Sequence, residues 1–462
     1  MIKFKFLVYV CIFLATIALI TTFIQTKNET PLLITTNINE FLATAKVNTD
    51  TSIKNVYLYK NGSNNIISVN IVFQAGSRVD PKNLSGLNYL LGLTLQEGGG
   101  GSLSYNKFKD FLNDNFLKLN VSTSRDSITI QITALKEYSD ALNFLIEDII
   151  LKSNITNEAF SFAKEVALQT HNFDDQKGTK LLNNALLEEL FANNDGYKAT
   201  TGYIETLKNV SLSNVKNFKE QNFALENLYI SVVGNYDDEK IGGLLTHISS
   251  KLIKKSAINL AIGEIAPQIQ NKTVLVKKQN LTQSEAFLVM ELPNFKDKET
   301  FLYYSLFSSY LGEVPDSLLF DELRNKNGLV YTTRSWIVKD KATAYLVIYV
   351  GSEESKIDIS IEKAKQTLQN ALVATINLLD TQEDKLLSGI KLAKNWMLAN
   401  DINIFTNNAS IANFLNNIAF NDYTIQSYTN EQDMLANFNI KNFKDALSSL
   451  KNNNIIIFKT VK

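Results

Sequence analysis

The sequence predicts an α+β fold of two homologous modules, each a mixed or antiparallel sheet with helices packed on it. Three observations predict it. Short β-branched runs with period-2 alternation occur in both halves. Longer amphipathic stretches follow in groups rather than alternating one-to-one with strands. The order strand–strand–helix–strand–helix–helix–helix–strand occurs twice, an internal repeat with a period of about 200 residues, seen in pattern and not in identity.

At the N-terminus, Lys3 and Lys5 precede an uncharged stretch from Phe6 to Thr26. Its length can span the hydrocarbon core of a bilayer. The positive flank favours a cytoplasmic N-terminus and export of the remainder. Residues 1–27 are therefore expected to be an uncleaved membrane anchor or a cleaved signal peptide, and no clean cleavage site decides between them. An exported, periplasmic location follows, tied to the inner membrane if the segment is retained. Residues 28–50 are polar and mixed, as suits a tether.

The first module is assigned to residues 51–255. Asn55–Tyr59 and Ile66–Phe73 read as strands. In the second, Ile67, Val69, Ile71 and Phe73 share one face and Ser68, Asn70 and Val72 the other, a half-buried pattern. Gly76, Ser77, Asp80 and Pro81 mark a turn before an apolar helix, Leu84–Leu95. Val121–Ile132 alternates again, interrupted at Ser124–Asp126. Leu135–Lys152, Asn157–His171 and Leu182–Phe191 read as helices. Ser211 is an N-cap for Val215–Gln221, and Leu228–Val233 is a buried strand ending at Gly234.

A linker is expected over 256–272, which contains Pro267. The second module, 273–462, repeats the scheme. Its strands are Thr273–Lys277, Ala286–Leu292, Ala342–Val350 and Asn454–Val461. Its helices are Glu299–Leu311, Ile357–Leu379, Gln382–Asn400 and Ile440–Ser449.

Composition narrows the chemistry. With 46 basic and 47 acidic side chains the formal charge is -1, so no long-range field draws in nucleic acid. The one cysteine, Cys11, lies in the N-terminal apolar segment, which leaves the folded body without a disulfide or a thiolate ligand. His171 and His247 are the whole imidazole supply. There is no G-x-S-x-G elbow. Gly98–Gly101 and Ser102 lack the Gly-Lys-Ser/Thr of a phosphate cradle, and read as a flexible loop after the helix.

Ala75–Leu95, AGSRVDPKNLSGLNYLLGLTL, resembles the signature region of the M16 (insulinase/pitrilysin-type) metallopeptidases. There a GSR-like turn leads into a Gly that opens a helix bearing an inverted zinc motif, His-x-x-Glu-His. Gly76-Ser77-Arg78 matches the turn and Gly86-Leu87 the helix opening. Laid on this sequence, the resemblance puts the first His at Tyr89, the general-base Glu at Gly92, the second His at Leu93 and the last ligand at Thr170. All four are replaced. Leu offers no donor, neutral Tyr and Thr oxygens are poor ligands, and Gly cannot take a proton from water. The chain is therefore expected to be a non-catalytic member with no cofactor of its own.

Phe320–Tyr331, FDELRNKNGLVY, is similar to the LREK-x-GLAY-like segment of the family's C-terminal module. The resemblance implies that Arg324 and Tyr331 bind the substrate backbone. A guanidinium presents a planar fork of donors, and a phenol one directed O–H. From the residues alone, an ion pair of Arg324 with Asp321 or Glu322 stays open. Some family members act as heterodimers in which one subunit carries zinc and the other lends its Arg and Tyr. The implied partner is such a zinc-bearing paralogue, with a peptide as shared substrate. A scaffold role in a membrane-associated complex, without proteolysis, is the alternative.

Overall fold

The computed structural model describes residues 46–47, 53, 55–174, 177–192, 194–254, 265–279, 283–377, 385–421 and 425–462. The anchor or signal and nearly all of the tether lie outside the described residues. Among those described, no helix is long and apolar enough to cross a membrane.

The first half runs β1 (Lys46–Val47), β2 (Asn55–Lys60), β3 (Ile66–Phe73), α1 (Leu87–Gly98), α2 (Tyr105–Asp114), β4 (Lys118–Thr123), β5 (Ile128–Leu135) and α3 (Ser139–Leu151). It continues through α4 (Asn157–Asp174), α5 (Gly178–Leu190), α6 (Ile204–Asn209), α7 (Leu212–Asn222), β6 (Leu228–Gly234) and α8 (Asp238–Lys251). The second half runs β7 (Thr273–Lys277), β8 (Ser284–Glu291), α9 (Lys298–Ser308), β9 (Val330–Lys339), β10 (Ala344–Ser352) and α10 (Ile357–Ile376). It ends with α11 (Lys385–Ile402), α12 (Asn408–Phe420), α13 (Ile425–Ala436), α14 (Ile440–Ser448) and β11 (Ile455–Val461). Two π-helical turns, Ser309–Glu313 and Asp321–Asn325, lie between α9 and β9.

The repeat expected from pattern is present in the strand order. One sheet runs β1-β2-β6-β3-β5-β4 and the other β7-β11-β8-β10-β9. Each has one parallel pair, β2 with β6 and β7 with β11, in an otherwise antiparallel ladder. Apart from β1, strand for strand, the two orders superpose. The stretch Val121–Ile132 proves to be a hairpin of two strands, its Ser124–Asp126 interruption the turn. Strand β9 was not expected, because its Thr, Arg and Ser residues break the apolar run.

Each sheet buries one face against helices of its own half. The leucines of α1, α3 and α8 meet β3 and β5, while α9, α10 and α14 meet β8 and β10. The other faces are covered crosswise. Helix α12, from the second half, lies on β2, β3 and β6. Helix α5, from the first half, lies on β7, β8 and β11. Leu182, Leu186 and Leu190 of α5 pack against Phe287, Val289 and Phe458. Ile411, Phe414 and Leu415 of α12 pack against Val233, with Tyr57 and Tyr59 alongside.

This exchange corrects the half-buried reading of Ile66–Phe73. Ser68, Asn70 and Val72 are all buried. Their polar neighbours are satisfied by α12. Ser231 Oγ donates to the carbonyl of Ala412 at 2.6 Å, Asn416 Nδ2 donates to the carbonyl of Asn70 at 2.7 Å, and Asn70 Nδ2 donates to Asn413 Oδ1 at 3.2 Å. A polar stripe that looks like a solvent face in sequence is a hydrogen-bonded helix seat.

Because Leu415 is fully buried between the halves, Leu415→Ala is expected to cost about 2–5 kcal/mol. Denaturant unfolding should show the whole chain melting in one transition at lower denaturant, without a separate transition for either half.

Candidate functional site

Helix α1 is built to be buried. Leu87, Leu90, Leu91 and Leu95 are all buried, as their spacing predicts. Asp80 caps its start: its carboxylate accepts the backbone N–H of Gly86 at 2.8 Å and of Asn88 at 3.0 Å. Gly86 sits at φ 92°, in the left-handed region that favours glycine. Burial pushes the Asp80 carboxyl up to about 7, against the pull of the backbone amides of Asn88, Gly86 and Leu87.

The four positions that the resemblance assigns to zinc and base do not form a donor set. Tyr89 and Leu93 are half-buried and packed against the apolar core. Thr170 is exposed on α4. Its neighbour His171 turns inward, with Nε2 3.0 Å from the carbonyl of Thr201. Gly92 lies so close to β4 that a Cβ there would come within 2.7 Å of Thr123 Cγ2. Any side chain at this position would press on Thr123 and force the strand or the helix to shift. Among the described residues, no group of three His, Cys, Asp or Glu could hold a metal ion. A catalytic zinc needs about three protein donors and an open position, and these residues do not fit it.

The loop after α1 is rigidly seated rather than flexible. Gly99 and Gly101 have φ of 58° and 89°. Asp148 Oδ2 accepts the N–H of Gly100 at 2.7 Å, and Oδ1 that of Ser102 at 3.1 Å. A Cβ on Gly100 would fall 1.7 Å from the Asp148 carbonyl oxygen. The glycines are required by close backbone approach.

Arg324 and Tyr331 are brought together at the edge of the second sheet. Arg324 lies on the π-helical turn Asp321–Asn325, and Tyr331 near the start of edge strand β9. Arg324 Nη1 donates to the carbonyl of Val330 at 2.7 Å, which binds the turn to the residue preceding Tyr331. The acids that could have neutralised Arg324 are engaged elsewhere: Lys326 bridges Asp321 at 3.0 Å and also Glu322. Tyr331 is 50% exposed, and its hydroxyl donates to Glu353 Oε1 at 3.3 Å. Both side chains are exposed: Arg324 keeps N–H groups beyond the one on Val330, while the one O–H of Tyr331 is held by Glu353.

Sequence reasoning missed one site altogether. Arg78, in the GSR turn, is buried with its Nε 2.6 Å from Asp126 Oδ1 and its Nη2 3.2 Å from Asp340 Oδ2. Arg125 approaches the same Asp340 oxygen at 3.5 Å. Both guanidinium groups lie over the Tyr197 ring, 4.9 Å from its centre for Arg78 and 4.4 Å for Arg125. Its hydroxyl donates to Asp340 Oδ1 at 3.0 Å. Burial acts to lower the Arg78 pKa, but the hydrogen bond and charge of Asp126, with the charge of Asp340, outweigh it and raise the value. Asp340 sits in the β9–β10 turn, so the cluster joins the two halves. Its members are some 260 positions apart, and only the sequence Gly-Ser-Arg hinted at it.

Two outcomes follow. The Asp80 carboxyl has a folded value above the ordinary one for a carboxylate, so folding takes up a proton between roughly pH 4 and 7 and stability falls as pH rises through that window. Asp80→Asn should flatten this part of the stability–pH curve in urea unfolding. Replacing Tyr89, Gly92 and Leu93 by His, Glu and His should not create a chelator-sensitive peptidase. It should lower stability by about 1–3 kcal/mol through overpacking against Thr123, as read by thermal unfolding and zinc analysis.

Comparison with known proteins agrees with this geometry. Residues 55–202 match the family described as insulinase (peptidase family M16), and residues 209–382 match the peptidase M16 inactive domain. The non-peptidase homolog YmxG of Helicobacter pylori is 24% identical over 341 residues, covering 72% of this chain and 77% of that protein. A crystal structure of a peptidase M16 inactive domain from Pseudomonas fluorescens superposes with TM-score 0.77 at 17% identity, covering 88% of this chain and 94% of that one. A chain of complex III2 from Candida albicans superposes with TM-score 0.70 at 13% identity, covering 89% and 95%. The two family matches together span both halves, and the helix that would carry the metal lacks every ligand: the chain belongs to the M16 peptidase family as a non-catalytic member without the inverted zinc motif.

Proposed function

We propose that this chain is the non-catalytic subunit of an exported M16-type zinc peptidase. It binds the peptide substrate and lends Arg324 and Tyr331 to the site of a zinc-bearing paralogue. The observation that supports this most directly is the contrast between the two halves. The metal helix is closed by Gly92 against Thr123, while Arg324 and Tyr331 remain exposed and joined through the Val330 carbonyl. An exposed guanidinium beside an edge strand suits a peptide backbone or a developing oxyanion, and Tyr331 joins it when its O–H exchanges Glu353 for the substrate. Zinc belongs to the partner in this reading. The apolar segment Phe6 to Thr26 supports export, with the chain held at the periplasmic face of the inner membrane if the segment is retained.

A second reading makes the chain a scaffold subunit of a membrane-associated complex with no part in proteolysis. The likeness of its fold to a complex III2 chain favours it, and the exposed Arg324–Tyr331 pair weighs against it. Co-purification with a zinc-bearing paralogue and a peptide-cleavage assay separate the two. Arg324→Ala and Tyr331→Phe are expected to lower kcat/KM of the pair by about 100-fold each, the size of effect seen when an oxyanion donor is lost, with the fold intact. Full activity in both variants counts against the first reading.

A further inference from the structure

A cavity of about 670 Å³ opens between α10, α11 and the two π-helical turns of the second half. Its size is that of a ligand pocket. Its walls are unusual in three independent ways. Two π-helical turns form part of the lining, through Tyr310 on one and Asp321 and Glu322 on the other, and π-turns concentrate at functional sites. Asp316 at the rim has φ 56°, a left-handed conformation that costs a non-glycine residue. It holds an exposed carboxylate that makes no ion pair among the described residues. The floor is apolar, formed in part by leucine side chains.

That floor comes from Leu318, Ala371 and Leu386, with Leu392 at the lip. Leu392 is 51% exposed, and Trp396, one helical turn further along α11, is 38% exposed. A Cβ on Gly389 would come within 2.6 Å of the Tyr310 ring, so the glycine lets that ring lie flat along α11. The charged lining is three carboxylates, Asp316, Asp321 and Glu322, against two ammonium groups, Lys326 and Lys363, which leaves one carboxylate in excess. Lys326 is already engaged by Asp321 and Glu322, and Lys363 lies 3.7 Å from Glu322. The unmatched negative charge is therefore that of Asp316.

We infer that this cavity is a second peptide-binding pocket, which takes an aliphatic side chain next to a lysine or arginine of the bound peptide. The apolar floor receives the aliphatic group and Asp316 receives the cation. The turn Asp321–Asn325 is shared: Asp321 and Glu322 line the cavity, and Arg324 points to the edge strand. The cavity and the edge strand therefore meet at this turn. This preference for basic, apolar segments rests on the peptide-binding reading given above, yet the two fail separately.

The test is direct binding to the purified full-length chain, followed by fluorescence anisotropy. The probes are a labelled leucine- and arginine-rich peptide and the same peptide with each arginine replaced by glutamate. Asp316→Asn keeps a residue that tolerates the left-handed backbone and removes only the charge. It is expected to weaken the arginine peptide by about 2–5-fold, the range of an exposed ion pair, with a smaller loss at high salt. Leu392→Ser, at an exposed position that the fold does not need, is expected to weaken it about tenfold. The glutamate peptide should not bind. Equal binding of both peptides, no binding of the arginine peptide, or affinity unchanged by both substitutions overturns the pocket. If Arg324→Ala abolishes binding while the two pocket variants bind normally, the pocket falls and the edge-strand reading survives. If the pocket variants weaken binding and Arg324→Ala does not, the reverse holds.

Discussion

The crosswise seating of α5 and α12 is the constraint on which the rest of the structure depends. A sheet with one covered face would leave its other face to water. Here each half supplies the helix that closes the other. The strands β3, β6, β8 and β10 can therefore be buried along nearly their whole length, a condition otherwise typical of parallel sheets flanked by helices. Neither half is self-sufficient. The Arg78–Asp340 cluster adds a directional contact to this apolar exchange, and fixes the β9–β10 turn against the GSR turn of the other half. A buried cluster of this kind is weak evidence for added stability, but a specific geometry is built into it.

The internal repeat places β4 and β9 in equivalent positions, each at one end of its sheet. In both halves a helical segment approaches that strand through a glycine. Gly92 of α1 meets Thr123 of β4, and Gly312 of the first π-helical turn meets Ser335 of β9, where an added Cβ would fall 2.3 Å from the backbone nitrogen. The shared scaffold carries different chemistry in its two copies. In the first the strand end has closed over a position where a base would stand. In the second the strand begins with Val330, whose carbonyl is tied to Arg324, and Tyr331 follows it.

Much of this was legible in the sequence. Local periodicity located most strands and the long helices, and the twice-run order of elements foretold two superposable sheets. The resemblance to the family located the replaced zinc positions, and residue chemistry gave the consequence, since a leucine and a glycine have nothing to offer a cation. What escaped was the set of relations between distant segments. Ser68 and Asn70 look like solvent-facing residues until Asn416 and Asn413 are brought over them. Asp340 has no local sign of its role, because its partners lie in the other half. The glycine run 98–101 suggested looseness, and only the packing against Asp148 shows that the same residues are demanded by tightness.

The contact between Gly92 and Thr123 has a bearing on history as well as on chemistry. Restoring a single ancestral-type side chain would crowd the strand and bring no compensating activity, because the other three positions would still be wrong. The step at Gly92 crowds the strand and adds no activity by itself. Packing at this one contact therefore opposes the return of a base to the helix, whatever happens at the other three positions.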